Sequence, residues 1–367
     1  MKKNLFGTDK KIEKAFLVGV AINKIHHSFD DELEELASLC NTAGLEVVGQ
    51  IYQNIKEETP ATLLGSGKVE EIKNLVEQLS ATVVVVDCEL TGSQINNISE
   101  IVNVKVIDRS MLILDIFAGR ATSNEGRLQV KLAQLKYTLP RISSASRGSN
   151  KFGSGGVGMR GPGETKLETD KRTIRDNICK LEDEILKLRN QRQIQKRERK
   201  KNQLKQVAIV GYTNAGKSTL MNTITKAGIY ADDLLFATLD TTSRVLWLGE
   251  NKKVLLVDTV GFINKLPHSF IQAFNATLEE TADADLLVHV VDISDKNYME
   301  KSQVVNDVLK QIHADRIPQI VVFNKIDKLT KPFEVPKDAI LISARNNTGI
   351  EKLKNEIDEK LFSKNDL

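Results

Sequence analysis

The stretch Val207-Ala208-Ile209-Val210-Gly211-Tyr212-Thr213-Asn214-Ala215-Gly216-Lys217-Ser218, running on into Thr219-Leu220-Met221-Asn222-Thr223-Ile224, decides how this chain reads. An apolar run of strand character meets a glycine; a second glycine follows with Lys217 and Ser218 directly behind it, and helical spacing then begins. This is the pattern of a phosphate-binding loop. Its glycines let the backbone curl so that successive N–H groups and a helix N-terminus face a polyphosphate, while the lysine reaches the outer phosphates and the hydroxyl ligates magnesium. A glycine turn before an ordinary helix would not require all four letters at this spacing.

Working outward toward the C-terminus, the same half of the chain carries further signals in order. Asp258-Thr259-Val260-Gly261 closes the apolar run at 254–257. Asp258 is expected to hold magnesium through water and the Gly261 N–H to meet a γ-phosphate. Asn324-Lys325-Ile326-Asp327 closes the run at 320–323. The Asp327 carboxylate can accept from both N1–H and the exocyclic amine of guanine, a pair of donors that adenine lacks, so a site built for it rejects the wrong base. Lys325 can cover the ring with its stem, and Ser343-Ala344-Arg345 can offer the Ala344 N–H to the guanine oxygen. Between the phosphate loop and Asp258 lies Phe236-Ala237-Thr238-Leu239-Asp240-Thr241-Thr242, where a loop that senses the third phosphate belongs. Thr238 is the first choice there for completing magnesium coordination beside Ser218, with Thr241 and Thr242 open alternatives. Lys217, Thr238, Gly261 and Asn214 are the expected catalytic set. Phe262 occupies the place after Gly261 where many GTPases carry a water-orienting glutamine, so slow hydrolysis until a partner completes the site is expected. Asn214 resembles the asparagine of potassium-activated GTPases, which makes K+ a candidate activator beside Mg2+.

The chain has 367 residues, which suits two or three domains. A formal charge of +3 means that any nucleic-acid surface is a local cluster. Cys40, Cys88 and Cys179 are far apart and odd in number, which suggests neither a disulfide frame nor a zinc site and fits a reducing cytosol. No run is long and apolar enough for a bilayer, and the N-terminal pattern does not suit a cleaved leader, so a soluble cytoplasmic protein is expected.

Residues 1–125 alternate short apolar runs at 16–20, 45–48, 83–86 and 104–107 with helical patterns at 30–43, 68–79 and 92–101, predicting a small parallel sheet covered by helices. Within it Gly65-Ser66-Gly67-Lys68 imitates a phosphate loop, but Thr62 stands in place of the first glycine and Val69 in place of the hydroxyl. A turn capping a helix is the plainer reading; a second nucleotide site or an RNA-phosphate contact through Lys68 is the alternative. Asp87 and Asp108 end strands, where open parallel sheets bind ligands, though lone carboxylates there are weak evidence.

Residues 126–205 change character. Leu128, Leu132, Leu135 and Leu139 share a four-three-four spacing with Ile174, Ile178, Leu181, Ile185 and Leu188, predicting an antiparallel helical hairpin. Its connection, the glycine-rich loop at 147–163, carries Arg147, Lys151 and Arg160 and is either a phosphate-probing tip or a linker. The second helix ends in Arg192, Lys196, Arg197, Arg199, Lys200, Lys201 and Lys205, a solvated face by default and a second candidate for phosphate contact. Residues 206–362 form the third part, expected as a doubly wound, mostly parallel sheet with helices on both faces, and 363–367 a tail.

Together with the switch motifs, Arg160-Gly161-Pro162-Gly163-Glu164-Thr165-Lys166-Leu167-Glu168-Thr169-Asp170, Leu64-Gly65-Ser66-Gly67-Lys68 and Asp115-Ile116-Phe117-Ala118 make nearly the whole chain resemble the HflX family of ribosome-associated GTPases. The resemblance implies an α/β GTP phosphohydrolase with Mg2+ held by Ser218 and Thr238. It also implies binding to the large ribosomal subunit (50S) and its RNA, dissociation of stalled or idle ribosomes by the GTP-bound form, often under stress, and stimulation of hydrolysis by the ribosome. Expected partners do not include DNA; peripheral membrane association stays open, and a monomer is expected. The alternative is an assembly or regulatory GTPase acting on a protein effector.

Overall fold

A computed structural model describes residues 12–22, 29–142, 162–201, 204–225, 235–236, 240–249, 252–265, 280–329 and 339–362; for 29, 162–167, 192–193 and 195–201 only the backbone is described. Two compact units are present: residues 1–116 with 137–175, and residues 117–136 with 176–367.

In the first unit four parallel strands, β1 (Lys14–Ile22), β2 (Glu46–Ile55), β3 (Val83–Val86) and β4 (Lys105–Asp108), lie in the order β2-β1-β3-β4. The β-branched run Val83-Val84-Val85-Val86 is buried along its whole length because the strand is central and covered on both faces. Helices α1 (Phe29–Thr42), α2 (Ser66–Gln78) and α3 (Gly92–Val102) provide the cover. Thr91 and Gln94 form a reciprocal capping box at the start of α3, and Asn103 in the left-handed region ends it. At α2, Gly65 is the extended residue before the first turn, Val69 is buried in the core and the Lys68 ammonium sits 2.8 Å from Glu71 in its own helix. Gly65-Ser66-Gly67-Lys68 is therefore a helix start whose lysine is engaged locally.

The strand-end carboxylates are engaged too. Asp108 accepts from the Leu90 and Met111 N–H groups, and Asp87 pairs at 2.7 Å with Arg109, which also pairs with Glu35 of α1. Burial works against the Arg109 charge, but Asp87 and then Glu35 outweigh it and raise its pKa further.

A fourth helix, α4 (Arg109–Arg120), and α5 (Asn124–Thr138) lead into the middle of the chain, and α6 runs from Pro162 to Lys201, with proline in the first turn where its missing N–H costs nothing. The last two residues of the predicted 147–163 loop thus belong to α6, and its other residues lie outside the described ones. Of the two expected seams, Leu132, Ile178 and Leu181 are buried, and Lys136 of α5 meets Glu182 of α6 at 2.7 Å.

In the second unit a six-stranded sheet has the order β10-β9-β8-β5-β7-β6. Its strands are β5 (Lys205–Gly211), β6 (Thr242–Gly249), β7 (Lys252–Asp258), β8 (Leu286–Asp292), β9 (Gln319–Asn324) and β10 (Ile340–Leu341). All pairs are parallel except β6 with β7. Helices α7 (Lys217–Thr225), α8 (Tyr298–Gln311) and α9 (Ile350–Phe362) flank it. Val207, Ile209, Leu220, Met221, Val254, Leu256, Val288, Val322 and Leu353 close one continuous core. Strand β5 is central, with β7 and β6 on one side and β8, β9 and β10 on the other; the chain fills the first side and then crosses to the second, so the loop after β5 opens at a reversal of strand order. Ligands of open parallel sheets bind at such a point.

Candidate active site

The phosphate loop connects β5 to α7. Gly211 has φ +155 and Gly216 φ +92, and a Cβ on Gly211 would run into the Val290 carbonyl of the neighbouring strand, so the curl needs glycine at both. Asn214 is exposed on the loop in the left-handed region, φ +59. Lys217 is buried, and its ammonium donates to the carbonyls of Gly211 and Tyr212 at 3.1 and 2.9 Å, folding back over the loop. Burial lowers its pKa to about 8, with the Asp258 charge opposing the shift. A phosphate chain would supply the missing counter-charge.

Ser218 donates to the Asp258 carboxylate at 2.8 Å, so the hydroxyl after the lysine and the carboxylate ending β7 face each other. A hydroxyl and a carboxylate converging here are the hard oxygen donors magnesium prefers, so the residues fit that ion. Thr259 ties down the next turn by donating to the Ile209 carbonyl at 2.7 Å. Gly261 follows Val260, and a Cβ on it would stand 2.8 Å from the Thr213 methyl and 3.0 Å from the Lys217 ammonium. Phe262 is buried and joins the phosphate loop by backbone: its N–H donates to the Gly211 carbonyl at 3.1 Å, and the Thr213 N–H donates to its carbonyl at 2.7 Å. The side chain at the glutamine position thus packs inward.

The base-reading half forms where β9 and β10 end. Lys325, in the left-handed region at φ +65, places its ammonium 2.6 Å from Asp292 at the end of β8. Asp327 sits in the short 3-10 turn Ile326–Lys328 and accepts a 2.5 Å hydrogen bond from Ser343. That bond, against a smaller effect of burial, holds the Asp327 carboxyl below the usual carboxylate range. Ser343 also accepts from the Asn346 N–H at 3.1 Å, and Arg345 lies exposed beside it.

Asn324 donates to the Ala215 carbonyl at 2.9 Å and accepts from the Ala344 N–H at 3.0 Å, so its side chain ties the phosphate loop to the base loop. The Ala344 N–H, expected to face the guanine oxygen, is thereby engaged inside the protein. Gly216 is the counterpart of this tie, because a Cβ there would run into the Asn324 amide. The sequence motifs also leave out Thr223, which donates to the Ala344 carbonyl at 2.7 Å, and the Tyr212 hydroxyl, which accepts from the Asn264 N–H at 2.8 Å. No short pattern marks either tie; only the meeting of loops reveals them.

Of the phosphate-sensing segment, Phe236 and Asp240 are described, while Ala237, Thr238 and Leu239 lie outside the described residues. Phe236 is buried with φ +53 and meets Phe117 edge-on, centroids 4.7 Å apart. Asp240 accepts from the N–H groups of Thr122 and Ser123 and from both hydroxyls.

A central-strand phosphate loop, a carboxylate facing its hydroxyl and an Asn-Lys-x-Asp corner on one crevice define a P-loop GTPase. Family models agree along the chain: GTP-binding GTPase N-terminal over residues 30–118, GTP-binding GTPase Middle Region over 120–199, and 50S ribosome-binding GTPase over 206–325. The GTPase HflX of Caldanaerobacter subterraneus subsp. tengcongensis is 48% identical over 97% of this chain and 82% of its own length, and that of Escherichia coli 41% over 90% and 79%. A crystal structure of SsGBP in complex with GDP matches 95% of this chain and 98% of its own at a TM-score of 0.53 and 26% identity. The chain belongs to the HflX family of GTPases. It is a guanine-nucleotide-binding enzyme that hydrolyses GTP.

Proposed function

We propose that this GTPase docks on the large ribosomal subunit through ribosomal RNA and uses its GTP-bound state to separate stalled or idle ribosomes into subunits, hydrolysis then releasing it. The observation that carries the reading is the phosphate loop and its facing Asp258 within residues 206–325, the region matched by the 50S ribosome-binding GTPase model, in a chain whose relatives at 41–48% identity are HflX GTPases.

In the reaction, Lys217 neutralises the outer phosphates from beneath and the Gly261 N–H meets the γ-phosphate. Ser218 and Asp258 would hold Mg2+, joined by Thr238 when a third phosphate is present. When bound, the ion would supply charge neutralisation at the phosphates. Phe262 is packed inward, so orientation of the attacking water falls to backbone and to the ribosome. This is why hydrolysis waits for docking. Asn214, exposed on the loop, would hold a potassium ion through its carboxamide oxygen, and the ion would supply positive charge to the transition state.

Light scattering of purified ribosomes after addition of the protein with GTP, GDP or a non-hydrolysable analogue tests the reading. A drop in scattering with GTP and the analogue, absent with GDP, is expected, along with faster GTP turnover in potassium than in sodium buffer. Intact ribosomes with every nucleotide would instead favour an assembly or regulatory GTPase with a protein effector, and equal turnover in the two buffers would remove potassium.

A further inference from the structure

The phosphate-sensing segment is anchored at both ends to one short stretch of chain in its own unit. On one side Phe236, held in the left-handed region, packs edge-on against Phe117 near the end of α4. On the other, the Asp240 carboxylate sits at the N-terminus of α5. It accepts from the Thr122 N–H at 2.8 Å, the Thr122 hydroxyl at 2.6 Å, the Ser123 N–H at 2.7 Å and the Ser123 hydroxyl. Ser123 in turn caps the helix by accepting from the Gly126 N–H at 2.9 Å. Gly126 has no room for a Cβ, which would collide with Asp240. An anion at a helix N-terminus is further favoured by the helix dipole.

These contacts bear on how the enzyme tells GTP from GDP. For Thr238 to meet a γ-phosphate, the stretch of chain that carries it must hold one conformation, and holding each residue so costs conformational entropy. Thr238 stands two residues along the chain from each anchor, so fixing Phe236 and Asp240 beforehand lowers the entropy cost of placing it. We propose that Phe236 and Asp240 are positioning residues that latch the phosphate-sensing segment onto the start of α5, so that GTP is favoured over GDP and its binding is reported as tighter capping of that helix. The inference rests on the reading of Thr238 as the residue that senses the third phosphate. GDP presents no such phosphate, so its affinity does not draw on the latch. By linkage, whatever the latch adds to GTP binding, GTP adds to the latch.

The test breaks the latch from both sides. Asp240→Ala removes the carboxylate; Gly126→Ala displaces it with a Cβ while favouring helix formation in α5. In the full chain, calorimetry with Mg2+ is expected to show the affinity for a non-hydrolysable GTP analogue falling about 5- to 30-fold in both variants, a size ordinary for coupled sites. GDP affinity should stay within about twofold for Gly126→Ala. In the parent protein, hydrogen exchange at residues 122–128 should be slower with the analogue than with GDP, and that difference should vanish in both variants. A residue that only held the fold together would lower both affinities alike. Thr238→Ala is the control for the underlying reading. If it shifts the ratio of analogue to GDP affinity but neither latch variant does, the latch is overturned; if it leaves the ratio unchanged, the reading of Thr238 falls and the latch with it.

Discussion

At Asp327 the pocket commits to a base through one carboxylate. The Ser343 hydroxyl holds one carboxyl oxygen at 2.5 Å and lowers the group's pKa, so at neutral pH the side chain is ionised and can only accept. Guanine offers two donors along that edge. Asp327→Asn replaces an acceptor with a donor, setting N–H against N–H. GTP affinity measured by calorimetry should fall about 10²- to 10⁴-fold, the worth of two charge-assisted hydrogen bonds. Xanthosine triphosphate, which carries a carbonyl where guanine has its amine, should gain. A parent protein holding ATP as tightly as GTP, or a variant with unchanged affinity, would sink the assignment. Asn324 opens the same motif and does different work. Joined to Ala215 and Ala344, it sets the distance between the phosphate-binding and base-binding loops.

Among the elements, the ends of β3 and β4 are held by charge as well as by packing. Arg109 opens α4 with its side chain 3% exposed and pairs with Asp87 and with Glu35 of α1, joining three elements. Arg109→Ala would leave two carboxylates facing each other in a buried space, at a cost of about 3–5 kcal/mol. Hydrogen exchange at the β3 and β4 amides should quicken accordingly, while GDP affinity, set in the other unit, stays put; unchanged protection would show that packing alone holds these strands. The same unit shows what sequence patterns reveal. The Val83–Val86 strand and the capped helix after Thr91 were legible because central strands read as continuous β-branched runs and caps have local signatures. The far half of β2 was not: Gly49-Gln50-Ile51-Tyr52-Gln53-Asn54 lies on the sheet edge, where Gln50 and Asn54 are exposed and the rest half-buried, so polar residues interrupt its apolar pattern. Helix α4 is not legible in the sequence because Met111-Leu112-Ile113-Leu114 is apolar without a helical period, being buried on most sides. In the active site the short motifs were legible and their ties were not, since Asn324 with Ala215 and Asp240 with Ser123 are far apart in the chain.

For the whole molecule, the balance of charge makes ribosome docking testable by salt. A formal charge of +3 on 367 residues provides little long-range attraction for RNA, so phosphate contact must come from local concentrations of cations. The chain has two in its middle part: Arg147, Lys151 and Arg160 among the glycines, and Arg197, Arg199, Lys200 and Lys201 toward the end of α6. Each phosphate neutralised releases counterions, and about five such pairings would weaken binding about 10²- to 10³-fold between 50 and 200 mM salt. Co-sedimentation with large subunits in the GTP-bound state should show that slope. Replacing Arg197, Arg199, Lys200 and Lys201 with glutamine should flatten the plot of log affinity against log salt, by about one unit of slope for each phosphate no longer neutralised. Nucleotide affinity should be unmoved, because the pocket is built from Gly211 to Arg345. Removing residues 147–160 should likewise abolish ribosome-stimulated hydrolysis and spare basal GTP binding. Binding that ignores salt, or a quadruple variant with the parent's slope, would assign docking to a protein surface instead of RNA.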